Sequence, residues 1–322
     1  MNTRDRFKRI LDFQPVDQLP VIEWAAWWNE TTDCWLRDGL PEFSNNTELM
    51  RYFEMDLLVQ EWVSPRTAKF PAPKHHGASI ITNEKQYDEL KRNHQLFAKP
   101  SFVNFDKYKA EHDAGDCAFW FTIEGFFWFP RTLFGIEDYP ELIKRINQDQ
   151  VDYTFTFLED MIKRYQPEFM TLAEDMSYNN GAMLSESQFD EFMLPYYQQI
   201  IPLLKKYGVK VFIDSDGDIT ECINWFKRAG IEGILPLERQ AGVDINQLRE
   251  NHPEFLFLGG FDKTIMHKGE VALRKEFERL MPAVKKGGYL ISVDHQTPPS
   301  VSLEDYYLYL KLFREYAQDY LK

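Results

Sequence analysis

The chain has 322 residues, 44% hydrophobic and 16% aromatic, enough for a large buried core and too apolar for a disordered chain. Its 37 Lys+Arg face 51 Asp+Glu, a formal charge of −14. Such a surface repels phosphate backbones and anionic lipid, which argues against nucleic-acid and membrane-surface roles. Cys34, Cys117 and Cys222 lie far apart without a CxxC pair, which argues against a disulfide framework or a cysteine-rich zinc site and fits a reducing cytoplasm. The opening Met1-Asn2-Thr3-Arg4-Asp5-Arg6 lacks a signal-peptide apolar stretch, and no apolar run approaches the ~18 residues of a membrane helix. The expectation is a soluble cytoplasmic protein.

In chain order, short apolar strands are predicted at 19–24, 56–62, 118–124, 169–175, 209–214, 233–238, 255–262 and 289–294. Amphipathic helical patterns fall at 143–165, 188–207, 219–229, 271–285 and 302–321, with starts marked by Ser187, Asp218 and Ser302. Eight strand-then-helix units predict one α/β domain over 1–322, a (β/α)8 TIM barrel. Residues 65–100 break the rhythm with prolines, His75-His76 and an expected hairpin at 78–83, and read as an insertion near the barrel mouth. All eight strands end in or beside an acidic residue: Glu23, Glu61, Glu124, Glu174-Asp175, Asp214, Glu238, Asp262 and Asp294. Carboxyl-terminal strand ends of a barrel converge on one pocket, so the pattern predicts an acidic bowl. Acids there also cap the following helix, which accounts for about half of them.

Asp214, Asp216 and Asp218 place three carboxylates within five residues at a strand-to-helix turn. Asp218 reads as a helix cap. Asp214 and Asp216 read as functional, their repulsion relieved by a metal or a bound cation. Gly217 and Trp225 stand at the wrong offsets for a calcium loop. His295 ends the last strand, where imidazole suits proton transfer or metal ligation. Of Glu174 and Asp175 only one can face the bowl from a regular strand, and Asp175 is favoured. Arg131 either clamps a substrate carboxylate or pairs with Glu124. Trp24, Trp27, Trp28, Trp62, Trp120, Phe126, Phe127 and Trp128 either form a platform for a flat or cationic ligand or simply pack. Gly259-Gly260 and Gly287-Gly288 continue into no phosphate-binding loop and read as packing glycines.

Over nearly its whole length the sequence resembles the uroporphyrinogen decarboxylase superfamily, which includes corrinoid and coenzyme M methyltransferases. The resemblance rests on residues 3–7 with 15–20, Ala173-Glu174-Asp175-Met176, 184–189 and Leu194-Pro195-Tyr196-Tyr197. It continues through residues 214–219, Ala241-Gly242-Val243-Asp244, Gly259-Gly260-Phe261-Asp262-Lys263 and Gly287-Gly288-Tyr289. It implies a TIM-barrel enzyme with catalytic Asp175, Glu238 and His295. Glu124, Arg131, Trp24, Trp28, Tyr178 and Asp262 would bind a small-molecule substrate. Where the decarboxylases carry an arginine-rich stretch after the first strand, this chain has Trp24-Ala25-Ala26-Trp27-Trp28-Asn29-Glu30. At the methyltransferases' zinc-binding His-x-Cys and Cys positions stand Asp214, Asp216 and His295. They are expected to hold a divalent metal such as zinc, in methyl transfer to a corrinoid supplied by a partner protein. A decarboxylase of porphyrin biosynthesis and a non-catalytic barrel that binds a ligand or a corrinoid protein are the alternatives; a homodimer is compatible with any of them.

Overall fold

The computed structural model describes residues 1–75, 77–134 and 140–320. Seven parallel strands form one sheet: β1 (Leu57–Val63), β2 (Cys117–Glu124), β3 (Phe169–Ala173), β6 (Lys210–Asp214), β7 (Gly233–Leu235), β8 (Leu256–Phe261) and β9 (Tyr289–Val293). A small antiparallel hairpin, β4 (Ser177–Tyr178) and β5 (Gly181–Ala182), stands on the carboxyl end of β3. Apart from β1, which is exposed at Trp62, and the half-buried ends of β6, these sheet strands are buried throughout. Strands covered on both faces read as near-continuous apolar runs rather than alternating ones. Long helices between them, among them Pro140–Phe155, Leu194–Lys206, Glu270–Lys285 and Leu303–Asp319, each bury one side. Among the described residues, no helix is long and apolar enough to cross a membrane.

The segment predicted as the first strand is not one. Residues 19–24 lack a strand ladder, yet they touch both edges of the sheet. Asp56 N–H donates to Val21 O at 2.8 Å beside β1, and Ser292 Oγ of β9 contacts Ile22 O at 3.4 Å. Prolines end the preceding turn, and Asp56 caps Val21 N–H with its side chain, so side chains replace ladder bonds here. The other seven predicted strands appear with ends shifted by up to three residues. The pattern at 143–165 splits into Pro140–Phe155 and Leu158–Tyr165, and that at 188–207 splits at Met193. Ser185, not Ser187, caps the latter in a reciprocal box with Gln188. Ser302 caps the last helix as expected.

The expected hairpin at 78–83 is absent. Instead Ile80 and Ile81 both donate to Leu133 O, and Ile81 joins Tyr87, Leu90, Leu96, Phe129 and Leu133 in a satellite apolar cluster. That cluster fixes residues 65–100 beside the end of β2. His75 is exposed, and His76 lies outside the described residues.

At Gly259, in β8, the chain takes φ +104°, and an added Cβ would meet Pro236 O at 2.0 Å. Gly259→Ala therefore has nowhere to go. Urea denaturation should show a loss of about 3 kcal/mol from strain and overlap together; an unchanged midpoint would contradict this packing.

Candidate active site

Glu124, Ala173, Asp214 and Leu235 are register partners across β2, β3, β6 and β7, so Glu124 and Asp214 lie on one face of the sheet at its carboxyl edge. After β3 the chain leaves the pleat. Glu174 N and Asp175 N both approach Asp214 O, at 2.8 and 3.4 Å, and Asp175 adopts φ +40°. This left-handed turn, rare for a non-glycine residue, separates the two acids.

Glu174 is fully buried. It accepts the N–H groups of Phe126, Phe127 and Trp128 at 2.8, 2.7 and 3.2 Å, and the Tyr197 hydroxyl. Burial still pushes its carboxyl up to about 7. It anchors a turn. A Cβ on Gly125 would overlap its carboxylate at 2.0 Å, so the turn and the acid are built for each other. Glu61 plays the same part below the helix Val103–Ala114, accepting from Asn104 N at 2.9 Å and Phe105 N at 3.2 Å. Asp262 accepts from Thr264 N at 2.8 Å and caps the turn Lys263–Lys268. These three strand-end acids serve the following helix or turn.

Glu23, buried, accepts from Ser292 Oγ at 2.8 Å, and Glu124 is held elsewhere, whereas Asp175, Asp214, Asp216, Glu238 and Asp294 gather. Asp175 is pushed up to about 6 by burial and then by Asp216, with Arg131 acting against the shift. Asp216 is also pushed up to about 6, by burial and then by Glu238, with Lys263 opposing. Asp214 stands well above the ordinary carboxylate range through burial, Asp175 and Asp216. His295 Nε2 lies 3.7 Å from Asp216 Oδ2, adjacent but beyond hydrogen-bond length. Burial, and Lys263 after it, lower the His295 imidazole, with Glu238, Asp294 and Asp175 opposing. Trp24 meets His295 edge-on at 6.2 Å and donates its indole N–H to Val293 O at 2.8 Å. Glu238 accepts from Gly217 N at 3.0 Å. Asp294, fully buried, accepts from Arg239 N and Lys263 N at 3.0 and 3.2 Å.

Two cations enter this group. Lys263 Nζ lies 3.5 Å from Glu238 and 4.0 Å from Asp294. Arg131 donates to Asp175 O at 3.2 Å and lies over Trp128, 5.5 Å from the ring centroid. Glu124 does not pair with Arg131. Its partners are Ser64 Oγ at 2.6 Å and Arg66, whose Nη2 is 2.6 Å away. Arg66 comes from the 65–100 segment and gives no local sequence signal, and Lys263 appeared there only inside a motif. Tyr178, on the hairpin, is 48% exposed; Trp28 and Trp62 are 41% and 47% exposed. Trp27, Trp120 and Phe126 are buried packing residues instead. Asp218 accepts from Thr220 N at 3.0 Å, a local turn contact; it is not the expected helix cap, since Ile219 and Cys222 stand at the N-caps of the turn and helix that follow.

Among the described residues, no three His, Cys, Asp or Glu side chains are placed to hold a metal ion. The expected centre of Asp214, Asp216 and His295 therefore does not fit this geometry.

A family model described as uroporphyrinogen decarboxylase (URO-D) matches residues 129–316, more than half of the chain. No curated protein matches. A putative vitamin-B12-independent methionine synthase from Listeria monocytogenes is 11% identical, with TM-score 0.48 over 95% of this chain and 98% of that one. A B12-independent methionine synthase from Shewanella sp. W3-18-1 gives 11% identity and TM-score 0.43 over 69% and 67%. A putative alpha-L-fucosidase from Bacteroides thetaiotaomicron gives 11% and 0.45 over 94% of each chain.

The raised carboxyls have a consequence for stability. Asp214 binds its proton more tightly folded than unfolded, so its contribution is greatest at low pH and is lost as pH rises above the ordinary value of 3.8. Asp214→Asn removes that loss. Thermal denaturation at pH 7.5 should show Tm raised by roughly 2 °C or more, with the gain shrinking towards pH 4.5. A lower Tm at both pH values would contradict the burial assigned to this carboxyl.

Proposed function

The chain belongs to the uroporphyrinogen decarboxylase family, and from that premise we propose a single-domain (β/α)8 barrel enzyme that transfers a methyl group from a small molecule to a corrinoid carried by a separate protein. Residues 19–24, in contact with both β1 and β9, complete the barrel in this reading as an irregular eighth stave. The observation that carries the chemistry is the pair Asp175 and Asp216, both pushed up to about 6 beside His295.

A carboxyl that holds its proton near neutral pH is a general acid. In heteroatom–methyl cleavage the bonding pair stays on the heteroatom, which then needs a proton. Asp216 supplies it and is reprotonated from solvent, with His295 standing 3.7 Å away. Burial, with the like charges of Glu238 and Asp294, keeps Asp216 short of full ionisation, and Arg131 holds the Asp175 backbone in place. Glu238 and Lys263 set the field on the other side. The corrinoid, when bound, supplies the methyl acceptor. The chain's own thiols are poor candidates for that role, because burial pushes Cys117 and Cys222 up to about 12. The namesake decarboxylation fits less well, since a polycarboxylate would meet Asp175, Asp214, Asp216, Glu238 and Asp294 at close range.

Purified protein should consume cob(I)alamin, followed by its absorbance, with at least one O-, N- or S-methylated donor. The rate should fall as pH rises above about 6, where the acid pair loses its protons. Asp216→Asn should lower kcat by about 10²–10³-fold. Carbon dioxide release from a porphyrinogen, with no demethylation of any donor, would overturn the proposal.

A further inference from the structure

We infer that the protein binds a small, neutral, polyhydroxylated ligand of monosaccharide size in a cavity at the seam between residues 24–26 and the edge strand β1.

The seam follows from the irregular course of the chain ahead of β1. Val21 is tied to the β1 side, donating its N–H to Asp56 Oδ2 at 2.9 Å and accepting from Asp56 N–H. Beyond it the chain keeps to β9. Trp24 gives its indole N–H to Val293 O at 2.8 Å, and Trp27 forms a bridge with Thr297. Between those two residues Ala26 takes φ +59°, a left-handed conformation uncommon for alanine. A cavity of about 250 Å³ opens here, lined by Trp24 and Ala26 from the one segment and by Leu58, Val59 and Gln60 from β1. Gln60 and its register partner Trp120, which also lines the cavity, lie on the sheet face that carries Glu124 and Asp214. The cavity and the bowl share Trp24, whose ring meets His295 edge-on. They differ in charge: among the described residues no carboxylate lines the cavity.

Its polar walls are neutral. They are Gln60, Asn46 and Thr47 at the start of the helix Asn46–Tyr52, and Asn104 in the helix Val103–Ala114. Asn45 also lines the cavity but is spent on that first helix, accepting from Glu48 N at 3.1 Å. Lys107 is the only charged lining residue among those described, and its ammonium is engaged 5.0 Å from the Tyr108 ring centroid. Gln60 donates through its amide nitrogen to Thr122 Oγ1 at 2.8 Å, a bond that does not use its oxygen. Asn104 likewise donates through its amide nitrogen to Gln60 O at 2.9 Å and keeps its side-chain oxygen. Carboxamides and hydroxyls both offer donors and acceptors, so they pair with hydroxyls, which do the same.

Shape narrows the class. The polar groups come from three elements, and a flat heterocycle presents polar atoms only along its edge. A saturated ring bearing hydroxyls presents them on every side. Trp24, Trp120, Met50 and Leu58 supply apolar surface for its C–H groups. The volume falls below the roughly 300–1,000 Å³ of drug-sized sites, which limits the occupant to a single ring.

The test is calorimetric titration of the intact protein at pH 7.5 with D-glucose, D-galactose, D-mannose and D-ribose, beside cyclohexanol, nicotinamide and D-glucuronate. At least one of the sugars should bind with Kd on the order of 1 mM or tighter. It should bind at least about tenfold more tightly than the three comparison compounds. Asn46→Ala, at an exposed position, should weaken that sugar about threefold to tenfold. Asn104→Trp, also at an exposed position, should fill the cavity and abolish binding, while Asp216→Asn in the bowl leaves it unchanged. No binding of any of the sugars overturns the inference. So does binding that survives Asn104→Trp or is lost in Asp216→Asn, since the ligand then lies elsewhere. Equal or tighter binding of nicotinamide or glucuronate overturns it by assigning the cavity to a flat or an anionic ligand. No readout here uses methyl transfer, so this inference and the proposed reaction fail separately.

Discussion

Repulsion between carboxyl groups at the carboxyl edge of the sheet is the constraint on which the rest of the structure turns. Parallel strands in one sheet must end together, and each strand of this chain ends near an acid. Left ionised and unpaired, that many carboxylates would oppose folding. Three are removed from the problem by use as helix or turn anchors: Glu61, Glu174 and Asp262. Glu124 is met by Arg66, and Asp294 by backbone N–H groups and Lys263. Glu238 is met by Lys263 and the Gly217 N–H and Glu23 by the Ser292 hydroxyl, whereas Asp175, Asp214 and Asp216, opposed only in part by Arg131 and Lys263, are pushed above the ordinary carboxylate range. A chemically useful property thus arises from an arrangement that is costly to the fold.

That division explains how much could be read from the sequence. Seven strands and the acidic strand ends were legible, because buried parallel strands and their turns write a local pattern. The irregular course of residues 19–24 was not, since their backbone partners are a side chain of β9 and the residue before β1. The absent hairpin at 78–83 fails for a related reason. Its apolar residues are spent on a cluster with the helix Trp128–Phe134, which no period reveals.

Within the site, Asp175 and Glu174 part at a left-handed residue, Asp175 itself, rather than by the regular strand alternation expected. The proximity of Asp216 to His295 was anticipated, but the three-ligand metal centre was not matched by the geometry. The positive charges were the weakest part of the reading. Arg66 reaches Glu124 across 58 residues, and Lys263 reaches Glu238 across 25, so only folding discloses either pairing. Family resemblance located the bowl, whereas its chemistry depends on how those long-range cations divide the acids.

The central claim is that Asp175 and Asp216 carry protons near neutral pH because they are buried beside other carboxyls. The most direct measurement is a pH titration of side-chain carboxyl 13C resonances in aspartate-labelled protein, with Asp175→Asn and Asp216→Asn used for assignment. The account predicts that both carboxyls titrate near 6 and that Asp216→Asn moves Asp175 downwards. If both titrate at about 4, as solvated aspartates do, with neither responding to loss of the other, the account is wrong.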